Sequence, residues 1–151
     1  MSRLASFIRL TTWERRVFLR ALLLLPLTAM RIRWLGLGRA LAVVDSAPST
    51  ATAGGGGEAA HALLIAHLVD AAARHGPFRA SCLPRSLTLH RLLREGGIDV
   101  DLRLGVRKVA GRLEAHAWIE RDGQALLESA QVHERFAAFD GPVAPRAGAS
   151  R

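Results

Sequence analysis

The sequence predicts an α+β fold, helices packed on a small antiparallel sheet and preceded by an N-terminal helical segment. Apolar residues recur at helical spacing as far as the Gly96-Gly97 pair, then alternate strictly from Ile98 onward. The alternating runs follow one another through short turns, with no stretch long enough for a crossover helix, so the sheet reads as an antiparallel meander.

The first 44 residues form an Arg/Leu-rich segment. Thr11, Thr12 and Glu14 make a plausible cap with an early acidic residue, and "WERRVFLRALLLLPLTAMRIRW" then runs apolar with arginines at intervals. The longest uncharged stretch, Ala21 to Met30, is about half of what a bilayer span requires, and Pro26 interrupts it, so no transmembrane helix is expected. A signal peptide would need a small-x-small cleavage site, and none precedes "RIRW". The expectation is an amphipathic helical hairpin packed on the rest of the protein, on a partner or on a membrane surface. Its plain form is core packing with solvated arginines.

Residues 45–57, "DSAPSTATAGGGG", are small, polar and glycine-rich, and read as a flexible linker. The main domain, 58–140, opens with "EAAHALLIAHLVDAAARHG", a helix of high propensity ending at Gly76 before Pro77. A second helix, "CLPRSLTLHRLLREGG", tolerates Pro84 only in its first turn, which places Cys82 at its N-terminus. Ile98, Val100, Leu102, Leu104 and Val106 then alternate with polar residues or glycine in one strand. Leu113, Ala115, Ala117 and Ile119 do so in the next, with His116 and Trp118 on its other face. "RDG" turns the chain into "QALLES". The tail 141–151, rich in Pro, Gly and Ala, is expected to be disordered.

Composition narrows the function classes. One cysteine cannot form an internal disulfide or complete a CxxC pair, which points to a reducing, cytoplasmic compartment. The net charge is +8, and seven of these charges lie in residues 1–44, where eight arginines stand against Glu14 alone. The remainder is nearly neutral, there is no Tyr, and no groove-reading motif accompanies the charge, all of which argues against nucleic acid. His61, His67, His75, His90 and His133 form no ligand pair with a carboxylate or Cys, so neither metal nor cofactor is expected.

Cys82 carries the chemical interest. Free amides and the positive end of a helix favour a thiolate, although a lone cysteine is more often core packing. His116, held in a fixed direction on a strand, is the candidate general base. A carboxylate must orient it, and the turn decides which one can. If Asp122-Gly123 is a two-residue loop, Arg121 pairs with Gln124, His116 lies opposite Ser129, and Glu128 faces the wrong side. If Arg121-Asp122-Gly123 is a three-residue loop with Gly123 left-handed, Glu120 pairs with Gln124 and Glu128 meets His116. Glu120 lies too far along the strand, and Asp122 belongs to the turn.

A cysteine on a helix start, a histidine on a strand and a carboxylate on the next strand resemble the papain-like and transglutaminase-like cysteine peptidase superfamily. The words "CLPRSLTLHRLLREGGIDVDLRLGV" and "EAHAWIERDGQALLE" resemble, more narrowly, the lasso-peptide biosynthesis B proteins, over residues 76–139. That resemblance implies a stand-alone peptidase half that removes the leader from a ribosomally made precursor. Its implied partners are the precursor peptide, a separate leader-recognition protein and an ATP-dependent cyclase. It also implies roles: Cys82 as nucleophile, His116 as base, and Glu128 where the family usually has Asp, twelve residues after the histidine. Two other readings stand beside it, a transglutaminase-like acyl transferase and a non-catalytic helper that binds leader or membrane through residues 1–44.

Overall fold

The computed structural model describes residues 10–45, 57–128 and 131–139, with the side chains of 40–45 excepted. Most of the expected linker and the whole of the expected tail lie outside the described residues.

Helix α1 (Thr12–Asp45) begins on a reciprocal capping box. The Thr11 backbone N–H donates to Glu14 Oε2 at 2.6 Å, and the Glu14 N–H donates to Thr11 Oγ1 at 3.2 Å. The expected hairpin is instead one helix broken at a single residue, Gly36, whose φ of 77° and ψ of 165° kink it. Reversal into a hairpin needs a loop of two to five residues, and "LGLG" supplies only this one departure. Ala21 and Leu25 on its inner face are fully buried, with Val17, Phe18, Leu22 and Ile32 packed around them, so α1 is part of the core. The span expectation also changes. By length and composition alone, Thr12–Arg39 is long and apolar enough to cross a membrane, because residues 21–38 carry only two charges, Arg31 and Arg33.

Helix α2 (Gly57–His75) buries Ile65, Ala66, Val69, Ala72 and Ala73, a face of mostly small residues that lets α1 approach closely. Gly76 ends it where a Cβ would lie 2.6 Å from Leu22 of α1. Helix α3 (Cys82–Glu95) admits Pro84 as its third residue, where no intrahelical N–H is needed. It closes on a Schellman motif: Ile98 N–H donates to Leu93 O, Gly97 N–H donates to Arg94 O, and Gly97 takes the left-handed φ of 78°. Leu87, Leu92, Leu93, Ile98 and Val100 join the same core, each fully buried aliphatic side chain contributing about 1.5–3 kcal/mol.

The strands are β1 (Asp101–Val109), β2 (Arg112–Arg121), β3 (Gln124–Ala125) and β4 (Ala137–Ala138), in the spatial order β3-β2-β1-β4; the single-turn α4 (Val132–Arg135) precedes β4. All neighbours are antiparallel, and the fold class is α+β as the alternation predicts. Ala110-Gly111 and Asp122-Gly123 both turn with positive φ at each residue, the two-residue type I′ geometry that suits twisted strands. The outer half of β2, Arg112 to Ala115, is exposed, while Ala117 to Glu120 are buried on both faces. One of those faces lies on the helices. The other, with Trp118, closes against Val132 and Phe136.

Candidate active site

The thiol of Cys82 is half-buried at the first residue of α3. Ser81, in the capping position, is extended (φ −70°, ψ 174°), and its hydroxyl makes no capping bond. The Cys82 and Leu83 amides therefore head a 14-residue helix without a cap from Ser81, and Pro84 has no N–H to add. One turn further on, Ser86 Oγ donates to the Ala117 carbonyl at 2.9 Å, a buried bond to the residue after His116. Thus the helix that starts at the thiol is fastened to the strand that carries the imidazole.

His116 lies opposite Gly105 in the β1–β2 ladder. Its ring stacks on Phe136 at a centroid distance of 5.0 Å and lies 6.0 Å from Trp118. Gly105 makes this possible, because a Cβ there would come within 2.9 Å of the Trp118 ring and 3.0 Å of Phe136. Arg107 covers the outer side of Phe136, 4.7 Å from the ring centroid. The imidazole is thus held in an aromatic cleft that an ordinary strand residue opposite it would close.

The third residue arrives by a route that neither turn geometry predicts. The loop is the two-residue form, with Arg121 paired to Gln124, and Leu126 N–H still donates in register to Ile119 O at 2.8 Å. Strict alternation would then set Glu128 opposite Ala117, facing away from His116. Leu127 breaks the alternation by adopting a left-handed φ of 64°. Glu128 Oε1 thereby comes to 3.2 Å from His116 Nε2. A left-handed leucine costs about 1–2 kcal/mol, and the Leu127 side chain recovers part of this by packing on the main core.

Glu128 is also held from the helical layer. Arg85 Nη2 donates to Glu128 Oε1 at 2.8 Å, and Arg85 Nη1 donates to Asp70 Oδ1 at 3.0 Å. Asp70 Oδ2 in turn meets Arg74 Nε at 2.8 Å. Charge-assisted contacts of this kind fix a carboxylate more firmly than one neutral partner could. Asp70 and Arg85 were not among the residues singled out from the sequence. A signal was present: "CLPR" puts an arginine into the first turn of a helix, against the helix dipole, where a carboxylate is the favoured occupant. Ser86, Gly105 and Phe136 act only through tertiary contacts and left no such mark.

The remaining carboxylates go elsewhere. Glu120 is buried in a separate polar cluster, where its Oε1 accepts the Trp118 indole N–H at 2.7 Å and lies 3.5 Å from His133 Nδ1, while its Oε2 lies 3.6 Å from Arg103. Asp122 occupies the turn at φ 52°. Among the described residues, no group of three or more His, Cys, Asp or Glu is placed to hold a metal ion.

A family model described as the transglutaminase-like superfamily matches residues 22–139. The chain belongs to the transglutaminase-like superfamily. The match begins inside α1 and runs to the residue after β4, so the superfamily domain takes in the outer helix as well as the sheet. Comparisons with curated proteins and with solved structures returned no match. Members of this superfamily are often cysteine hydrolases or acyl transferases. The Nε2 side of His116 faces Glu128, so Nδ1 is the ring nitrogen that this carboxylate does not engage.

Two open depressions reach this neighbourhood. One, of about 460 Å³, is lined by His116 and Glu128 together with Arg107, Glu114 and Phe136. The other, of about 510 Å³, is lined by Ser81, Leu83 and Pro84, neighbours of Cys82 in the chain, and by Pro26, Met30 and Phe78. The first is polar and charged, the second mostly apolar.

Proposed function

We propose that this chain is a cysteine peptidase that removes the leader from a ribosomally synthesised lasso-peptide precursor, with Cys82 as nucleophile, His116 as general base and Glu128 as the orienting carboxylate. The pairing of His116 with Glu128, on a strand bonded to the helix that begins at Cys82, is the observation that supports this reading most.

In the reaction, His116 Nδ1 takes the thiol proton while Glu128 holds Nε2 and stabilises the imidazolium. The thiolate attacks the carbonyl carbon of the last leader peptide bond, and the tetrahedral oxyanion accepts a hydrogen bond from the Cys82 N–H. Collapse breaks the C–N bond, His116 returns its proton to the departing amine, and a thioester remains. Water, deprotonated by His116, then releases the leader as a carboxylic acid and restores the thiol. The freed amine is the product that an ATP-dependent cyclase would consume, and a leader-recognition protein would present the substrate.

The test is cleavage of a precursor supplied with its recognition partner. Cys82→Ala and His116→Ala should each abolish it, and persistent cleavage by Cys82→Ala overturns the assignment. Superfamily membership favours a second reading, in which the thioester is captured by an amine instead of water. Mass spectrometry separates the two: a severed leader marks hydrolysis, an isopeptide adduct marks transfer.

A further inference from the structure

The outer face of α1 is apolar and largely uncovered by the described residues, although its Met30 also lines the depression shared with Phe78 and Pro84. Leu19, Leu23, Met30 and Trp34 are 54%, 65%, 52% and 79% exposed. At about 100° per residue these four fall within an arc of about 60°, along about 22 Å of helix. Ala21 and Leu25, which are fully buried, lie on the opposite side, so the helix has one apolar face for the core and a second for something else. Helical geometry puts Arg33 along one border of the outer stripe and Arg31 along the other, where Arg20 is instead paired with Glu95, and Arg16 lies at its N-terminal end. From Arg15 to Arg39 the sequence holds six arginines and no acidic residue.

We propose that this face docks the protein on an anionic bilayer surface, the helix lying in the plane of the interface. Leucines, a methionine and an exposed tryptophan would enter the head-group boundary, while the flanking guanidinium groups reach lipid phosphates from both sides. Charge selects this occupant over a second copy of the chain, since self-pairing would set one arginine border against another. Insertion across the bilayer is opposed by the inner face: Leu22 packs against Gly76 so closely that no Cβ fits, and Ala21 and Leu25 would have to leave the core.

The experiment uses the full chain with unilamellar vesicles, either pure phosphatidylcholine or containing about 30% phosphatidylglycerol. Co-sedimentation should occur with the anionic vesicles, at least ten-fold more weakly with the neutral ones, and should fall as salt rises from about 0.1 M to about 0.5 M. Trp34 emission should shift to the blue on binding, and Trp34→Phe should remove the shift. The variant Leu19→Glu/Leu23→Glu should lose at least ten-fold in vesicle binding while its circular dichroism and the iodoacetamide labelling rate of Cys82 stay unchanged. Failure of the anionic vesicles to bind, or undiminished binding by that variant, overturns the proposal. So does a self-association of the wild type that the variant abolishes, or a protein partner whose binding to this face excludes vesicles. Should the variant fail to fold, quenching of Trp34 by brominated lipid in the wild type decides, and its absence refutes interfacial docking.

Discussion

Acidification from about pH 8 to pH 5 should remove about 2 kcal/mol of stability through His90 alone. The ring is fully buried on α3, and neither nitrogen has a partner at hydrogen-bond geometry. Burial, and secondly the Arg94 guanidinium, push its pKa down to about 4 from 6.5; the Val100 backbone and Asp99 oppose the shift without cancelling it. The folded state thus keeps the ring neutral while the unfolded chain takes up a proton below about pH 6.5, so stability is whole above that value and declines as pH falls towards 4. At about 1.4 kcal/mol per unit, the loss is about 3 kcal/mol at pH 4 and about 3.5 kcal/mol once the folded ring is also fully protonated, a large share of a typical domain's stability. The assay is urea unfolding at both pH values for the wild type and for His90→Leu, which keeps the apolar volume and cannot titrate. Carboxylates that weaken in acid do so in both proteins and drop out of the difference. The wild type should lose about 2 kcal/mol more than the variant by pH 5. Equal losses would refute a neutral, desolvated imidazole.

Two further substitutions probe the geometry around His116. Gly105→Ala drives a methyl group into Trp118 and Phe136, and should cost about 1–3 kcal/mol in urea unfolding with a changed near-ultraviolet aromatic spectrum; an unchanged midpoint and spectrum would show that the cleft does not need glycine. Arg85→Met leaves Glu128 and Asp70 without their shared cation, and should cost about 1–2 kcal/mol, reduced from a fully buried value because all three side chains retain some exposure. Adding Asp70→Asn should recover part of that loss, and a wild-type midpoint in Arg85→Met would show that solvent already screens the pairs.

What could be read from the sequence was what is encoded locally. Helix α3 announced both of its ends, Pro84 being admissible only in a first turn and Gly97 supplying the left-handed residue of the Schellman motif. The Thr11–Glu14 box and the alternation through β1 and β2 were equally plain. The route to Glu128 was not. "ALLES" contains no glycine, asparagine or proline to mark a backbone reversal, so nothing local distinguishes the left-handed Leu127 from an ordinary strand residue. The carboxylate was identified through a three-residue turn that does not form, and it still reaches the imidazole because the one-residue reset occurs four residues later. The expected hairpin failed in the opposite direction: α1 kinks at Gly36 without reversing, because one left-handed glycine is too short a departure to turn a helix back on itself.

Glu128 reaches His116 from a short segment that the sheet grips by the Leu126 amide, while its carboxylate is clamped by an arginine of α3. The imidazole belongs to the sheet, and its orienting oxygen is held from the helices. The 3.2 Å between them therefore crosses the seam between the two layers and gauges how those layers sit on each other. A displacement of α3 along β2 too small to disturb either layer internally would lengthen that gap first, parting the imidazole from its carboxylate before the fold itself had changed.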